Sequence, residues 1–168
     1  DGISCNFITY YVNSGSGTTL KTKAALRSKV IMPGTSWVDA FNNLQDALAM
    51  AVYGDTIKVA QGTYYPDEGT GYPDNARDSS FKIPNGVILL GGYDVINGME
   101  VNRDWQCNKT ILSGDIDQNG DTMNNSYHVV CTNNVDSTTL LDGFCITGGN
   151  ANGTFLKNIG GGWFNEST

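Results

Sequence analysis

The sequence predicts an all-β chain, a parallel β-helix closed at its N-terminal end by one α-helix. Three observations point there. Only one stretch of the 168 residues carries the 3.6-residue apolar period of a helix. Every later apolar run is too short for a second one and is bounded by Gly, Asn or Asp. These runs recur in one form, three or four apolar or Thr residues and then Gly, near Gly91, Gly114 and Gly143. That spacing suits one coil of a solenoid, in which no turn buries its inner face alone and stacked turns share a core. A β-sandwich also offers many short strands. It does not call for a leading helix or for this recurrence.

Phe7 to Val12 is β-rich and runs into the loop Asn13-Ser14-Gly15-Ser16-Gly17. Thr18 to Gly34 reads as a solvated insertion. Its four cations, Lys21, Lys23, Arg27 and Lys29, are too few for a binding patch. Ser36 and Asp39 then form an approximate capping box. Ala40, Phe41, Leu44, Ala47, Leu48, Ala51 and Val52 fall on one helical face, which Gly54 ends. A helix there can cover strand edges and core at one end of a β-structure. The strands follow: Thr56–Val59, Val87–Leu90, Thr110–Ser113, Tyr127–Thr132, Thr139–Asp142 and Phe144–Thr147, then a last unit, Gly160 to Asn165. Length and continuity give one domain over 1–168, with a cap over about 7–54 and coils over about 55–168. The last unit looks like the start of a further turn, so the expectation is the N-terminal part of a solenoid that continues in the whole protein.

Composition excludes several functions. There are 10 basic against 17 acidic residues, a formal net charge of -7, with no arginine stripe. Nucleic-acid binding needs a concentrated positive footprint, so it is disfavoured. No apolar run is long enough to enter a bilayer. Cys5, Cys107, Cys131 and Cys145 form no Cys-x-x-Cys pair, which argues against a redox dithiol or zinc knuckle. Three disulfide pairings and four free thiols all stay open.

The words of the sequence carry a resemblance. Thr35-Ser36-Trp37, Leu44-Gln45-Asp46-Ala47-Leu48 and Gly54-Asp55-Thr56-Ile57-Lys58-Val59-Ala60-Gln61-Gly62-Thr63-Tyr64 look like the opening of pectate-lyase-like right-handed β-helices. Gly91-Gly92-Tyr93, Arg103-Asp104-Trp105, Thr110 to Ile116, Asn125 to Val130 and Leu141 to Gly149 follow in order. The series resembles surface or secreted bacterial proteins related to the polymorphic outer-membrane proteins, and covers roughly 35–164. The resemblance implies a right-handed coil, a capping role for the helix, and an extracellular or outer-surface location. It also implies a structural or adhesive passenger role. The insertion over 18–34, and Cys145 where Thr is more usual, depart from it.

The best chemical signal is Asp115-Ile116-Asp117-Gln118-Asn119-Gly120-Asp121. Oxygen donors at alternate positions with Gly at the sixth match the first half of a Ca2+ loop, because alternation turns the donors inward and Gly permits the bend. Ser126 stands where an EF-hand has its bidentate Glu, and no helix flanks the loop. The expectation is therefore a solitary Ca2+ loop ligated by Asp115, Asp117, Asn119 and Asp121, against the plainer reading of an Asx-rich turn. Tyr65, Tyr72, Tyr93 and Trp105 are the candidate stacking residues for a glycan or a host or cell-surface protein, with Tyr64 and Trp163 as further exposed aromatics. The long loop Tyr64 to Phe81 is the candidate recognition element. Catalysis has thin support. His128 reads as structural. Asp94, Asp104, Asp115 and Asp142 could be proposed as paired carboxylates, but Asp115 and Asp142 sit beside repeat glycines, where Asx turns explain them. The expected function is a non-catalytic surface module. The alternatives are a polysaccharide lyase or hydrolase and a carbohydrate-binding module.

Overall fold

A computed structural model describes residues 6–15 and 33–166. Most of the insertion read over 18–34, and Cys5, lie outside the described residues. The elements are β1 (Thr9–Val12), α1 (Leu44–Met50), β2 (Thr56–Ala60), β3 (Gly62–Tyr64), β4 (Phe81–Lys82), β5 (Ile88–Ile96), β6 (Met99–Arg103), β7 (Thr110–Ser113), β8 (Val130–Asn133), β9 (Leu140–Asp142), β10 (Phe144–Thr147) and β11 (Trp163–Glu166).

The chain winds through three sheets in rotation. β1, β2, β5 and β9 make the first, β3, β7 and β10 the second, and β4, β8 and β11 the third. Every pairing between coils is parallel. This is the architecture of a parallel β-helix-like solenoid. Thr56 faces Ile88, and Ile88 faces Leu140. Phe81 faces Val130, and Val130 faces Trp163. The one antiparallel partner is β6, which folds back on the far half of β5 through Asn97 (φ 51) and Gly98 (φ 74), the residue pair a two-residue hairpin turn demands.

The stacking differs from the expected one in detail. Ile88 and Leu140 do lie over one another, but Ile111 sits in the second sheet, between Thr63 and Cys145. The Gly-ended runs therefore do not mark one coil each. Each coil holds more than one, because it turns a corner after its first strand and another after its second. Backbones nearly touch at those corners. A Cβ on Gly91 would lie 2.6 Å from Gly143 O, and one on Gly143 would lie 2.8 Å from Gly91 O. Only glycine permits that approach.

Strand alternation fills the interior. Tyr10, Val12, Ile57, Val59 and Leu89 point inward from the first sheet, Tyr64 and Leu112 from the second, Phe81 and Val130 from the third, all buried. Each such side chain contributes about 1.5–3 kcal/mol of burial. On the outside of the first sheet, Tyr11, Lys58 and Leu90 fall in register. There Trp37, Ala40, Ala60 and Tyr93 form a second, smaller core.

The helix is shorter and later than its apolar period predicts. Phe41 spends its backbone on β1: its N–H donates to Tyr11 O and its carbonyl accepts from Asn13 N, both at 2.8 Å. That holds it extended, beside Val12. Ser36 and Asp39 close a separate turn, the Asp39 N–H donating to Ser36 Oγ at 3.3 Å. α1 then opens at Asn43 with no side-chain cap. It buries Leu44, Gln45, Ala47 and Leu48 and packs on β1, β2 and β4. Gln45 is 1 % exposed; its amide donates to Pro66 O at 2.5 Å and Ser80 O at 3.0 Å.

Candidate functional site: a loop-bearing corner

The three corners of the coil are unequal. From the first sheet to the second the chain crosses on the single residues Gln61 and Gly143, apart from the β6 excursion. From the second to the third it makes a long detour in every coil, over 65–80, 114–129 and 148–162. Pro66, Gly69, Gly71 and Pro73 keep the first detour out of regular structure. Because the strands stack in register, the detours stack as well, and the loop expected as a recognition element has two neighbours on one edge.

Arg77 ties the three together. Its Nε donates to Asn125 O at 2.7 Å, and its Nη2 donates to Asn150 O at 3.1 Å and Asn152 Oδ1 at 2.6 Å. Its guanidinium lies 4.1 Å from the centre of the Tyr127 ring. Lys157 stands 5.0 Å from the same ring and pairs with Asp78 at 2.5 Å. The Tyr127 N–H donates to Arg77 O at 2.9 Å, and the Asn150 N–H to Ser126 O at 2.8 Å. A planar fork with several donors is what such a multi-loop junction needs. Arg77 lies in a polar loop with no pattern around it, so sequence reasoning passed over it.

The loop over 114–126 closes on itself: the Ser126 N–H donates to Gly114 O at 2.8 Å. The structure sorts its four predicted ligands into two kinds. Asn119 and Asp121 are exposed and serve the turn. Asn119 Oδ1 accepts from Asp121 N at 2.5 Å, and Asp121 Oδ1 from Met123 N at 2.9 Å. Asp115 and Asp117 each use one oxygen in the same way. Asp115 Oδ2 accepts from Gly120 N at 3.2 Å, and Asp117 Oδ2 from the side chains of Asn119 and Asn124 at 2.8 and 3.1 Å. The second oxygen of each, Oδ1, is buried without a hydrogen-bond partner, as are Asp67 Oδ1 and Asn125 Oδ1. Among the described residues, no three His, Cys, Asp or Glu side chains stand together as a metal-ligating cluster.

The first loop meets the second here. Gln118 Nε2 donates to Glu68 Oε1 at 3.4 Å. Burial, then the charge of Asp67, pushes the Glu68 carboxyl above its ordinary range, with the Gln118 bond opposing. Burial, then Asp115 and Glu68, raises the Tyr65 phenol. Negative charge thus accumulates at this contact, and the ion pairs among the described residues form elsewhere: Lys58–Glu100, Arg103–Asp142 and Lys157–Asp78.

The expected aromatics do not share one face. Tyr65 and Tyr72 are half-buried on the first loop. Trp105 is 53 % exposed, but it follows β6, near the corner between the first and second sheets. Tyr93, expected on the surface, is 4 % exposed. It sits against Trp37, 5.5 Å between ring centres, because the segment before α1 folds over the outer face of the first sheet. Tyr64 is likewise buried, its hydroxyl donating to Ala60 O at 3.0 Å.

His128 stacks on Phe164, with ring centres 4.8 Å apart, and its Nδ1 lies 3.1 Å from Gly160 O. Both rings border a groove along the outside of the third sheet, with Lys82, Cys131 and Glu166. The four aspartates weighed for catalysis each have local partners. Asp94 accepts from Gln61, Asp104 caps the turn at Gln106 and Cys107, Asp142 pairs with Arg103, and Asp115 belongs to the loop above. Cys107, Cys131 and Cys145 are free thiols. No helix among the described residues is long and apolar enough to cross a membrane. No family profile, curated protein or solved structure matches this chain.

Proposed function

We propose that the chain is a non-catalytic structural or adhesive module of an extracellular or bacterial surface protein. On this reading it is a right-handed, pectate-lyase-like β-helix of the polymorphic outer-membrane kind, α1 is its N-terminal cap, and its corner loops contact a glycan or a cell-surface protein. The observation that carries the reading is the loop-bearing corner: three long connections on one edge, pinned to each other through Arg77. Rigid scaffolds with one variable edge suit recognition. The cap reading is supported by the packing of α1 on β1, β2 and β4 and by Gln45, which holds two carbonyls of the coil next to it.

The test is to incubate the protein with acidic and neutral polysaccharides and with intact cells, following retention and product release separately. Retention without release is the expected result, together with its loss when Gly69 to Asp74, including Tyr72, is shortened. Steady release of sugar products would replace this reading with a polysaccharide lyase or hydrolase. Retention on neither glycans nor cells would remove the recognition role.

A further inference from the structure

We infer a Ca2+ site at the contact of the first two corner loops, with Asp115 Oδ1, Asp117 Oδ1 and Asn125 Oδ1 as its side-chain ligands. The site stands independently of the adhesive reading. It also differs from the ligand set that the sequence motif suggests, because Asn119 and Asp121 are spent on the turn.

The argument starts from polar atoms that have lost water and gained nothing. A buried acceptor without a partner is costly, and more so when it is charged. The described residues hold four such side-chain atoms, Asp67 Oδ1, Asp115 Oδ1, Asp117 Oδ1 and Asn125 Oδ1, and all four belong to these two loops. All are oxygens, so a hard cation satisfies what no protein donor does. Asn125 is the independent witness: it is neutral, 3 % exposed, and its Oδ1 is buried with no protein donor.

A circuit of hydrogen bonds and adjacent residues links the segments that carry the four. Asp67 Oδ2 accepts from Asn75 N at 2.9 Å. Two residues on, Arg77 holds Asn125 O. The neighbouring Asn124 donates to Asp117, and next to Asp117 the Gln118 side chain reaches Glu68, beside Asp67. Asp115 enters at the closure of the loop, with Gly114 against Ser126. Arg77 is the nearby cation, yet its hydrogen bonds run to the carbonyls of Asn125 and Asn150 and the carboxamide of Asn152 rather than to these carboxylates.

Among the described residues no three acidic or imidazole side chains converge, so a tight all-carboxylate cage is not what the site offers. Two carboxylates, one carboxamide, backbone carbonyls and water make up the six to eight oxygens Ca2+ takes. Asp67 and Glu68 add negative charge beside the ion without being assigned bonds to it. An ion here would brace the second loop at the point where Gln118 reaches Glu68 of the first, while Arg77 ties the second loop to the third.

The test uses the whole chain stripped with a chelator. Titration with Ca2+ in a calorimeter, and with Tb3+ read by emission sensitised through Tyr65, should give one ion per chain, with Ca2+ displacing Tb3+. Asp117→Asn and Asn125→Ala should each weaken binding by about tenfold or more, and Asp121→Asn by no more than about twofold. Asn125→Asp, which adds charge at an assigned ligand, should tighten it and serves if another variant fails to fold. No heat and no emission at millimolar ion would overturn the site. Equal losses for Asp121→Asn and Asp117→Asn would overturn this ligand set.

Discussion

Replacing Arg77 by Ala should loosen the corner loops while leaving the coil intact. The side chain holds two partly buried carbonyls, Asn125 O and Asn150 O, and one exposed amide oxygen, Asn152 Oδ1. A hydrogen bond from a charged group to a partly buried acceptor is worth about 1.5–3 kcal/mol at best, and exposed ones far less. Non-additivity and water access reduce the sum, so we expect about 2 kcal/mol, or roughly thirtyfold in a local opening equilibrium. Amide hydrogen exchange reads that directly. The reporters are the N–H groups of Ser126, Tyr127 and Asn150, which donate to Gly114 O, Arg77 O and Ser126 O. They should exchange about thirtyfold faster, while the buried strand residues Val59 and Leu89 keep their protection. Arg77→Lys should recover less than half of the loss, because one ammonium cannot span three acceptors as the guanidinium does. Unchanged exchange at the three reporters, or a rise shared equally with Val59 and Leu89, would refute the idea that Arg77 pins the loops rather than the fold.

Three further outcomes test the scaffold. Gly91→Ala puts a methyl 2.6 Å from Gly143 O, so the two coils must part there; a loss of about 1–3 kcal/mol in urea unfolding is expected, and no loss would mean the corners are not closely stacked. Gln45→Leu leaves Pro66 O and Ser80 O without their buried donor and should cost about 2 kcal/mol or more, whereas a neutral effect would show that α1 does not tie the coil beneath it. Burial pushes the Tyr64 phenol up from 10.0 to about 12. The folded state therefore keeps its proton where the unfolded state has lost it. The contribution, about 3 kcal/mol, is complete below pH 10.0 and fades as pH rises towards about 12. Alkaline unfolding across that window, followed by phenolate absorbance, should be weakened in Tyr64→Phe.

Much of the fold was legible because it is written in local chemistry. Ile57, Val59 and Leu89 alternate with outward residues, and glycine stands where the chain bends, so strands and corners could be placed without any partner. Which sheet a strand joins is not local. Ile111 reads like Ile88, yet it lies one corner further along, and only pairing separates them. α1 was foreseen in type but not in start, because Phe41 satisfies its backbone on β1, some thirty residues earlier in the chain. Asn97-Gly98 was a readable hairpin signal that went unused. At the loop, the sequence showed which residues carry oxygen. It could not show which oxygens the turn consumes and which it leaves buried, and Asn125 lay outside the motif. Tyr93 was misplaced because the covering of one sheet face by Trp37 is a long-range event.

The inequality of the corners bears on how such a chain tolerates change. Where a single residue, Gln61 or Gly143, carries the chain between sheets, an added residue must be looped out whole, as the β6 excursion is in the coil between them, or it shifts the next strand against its neighbours. At the opposite edge, segments of fifteen or so residues already bulge outward, and lengthening them leaves strand alignment alone. Small changes of length are therefore absorbed most easily along the seam of long connections, and two descendants of this scaffold could share an unchanged interior while presenting quite different outlines to whatever they meet.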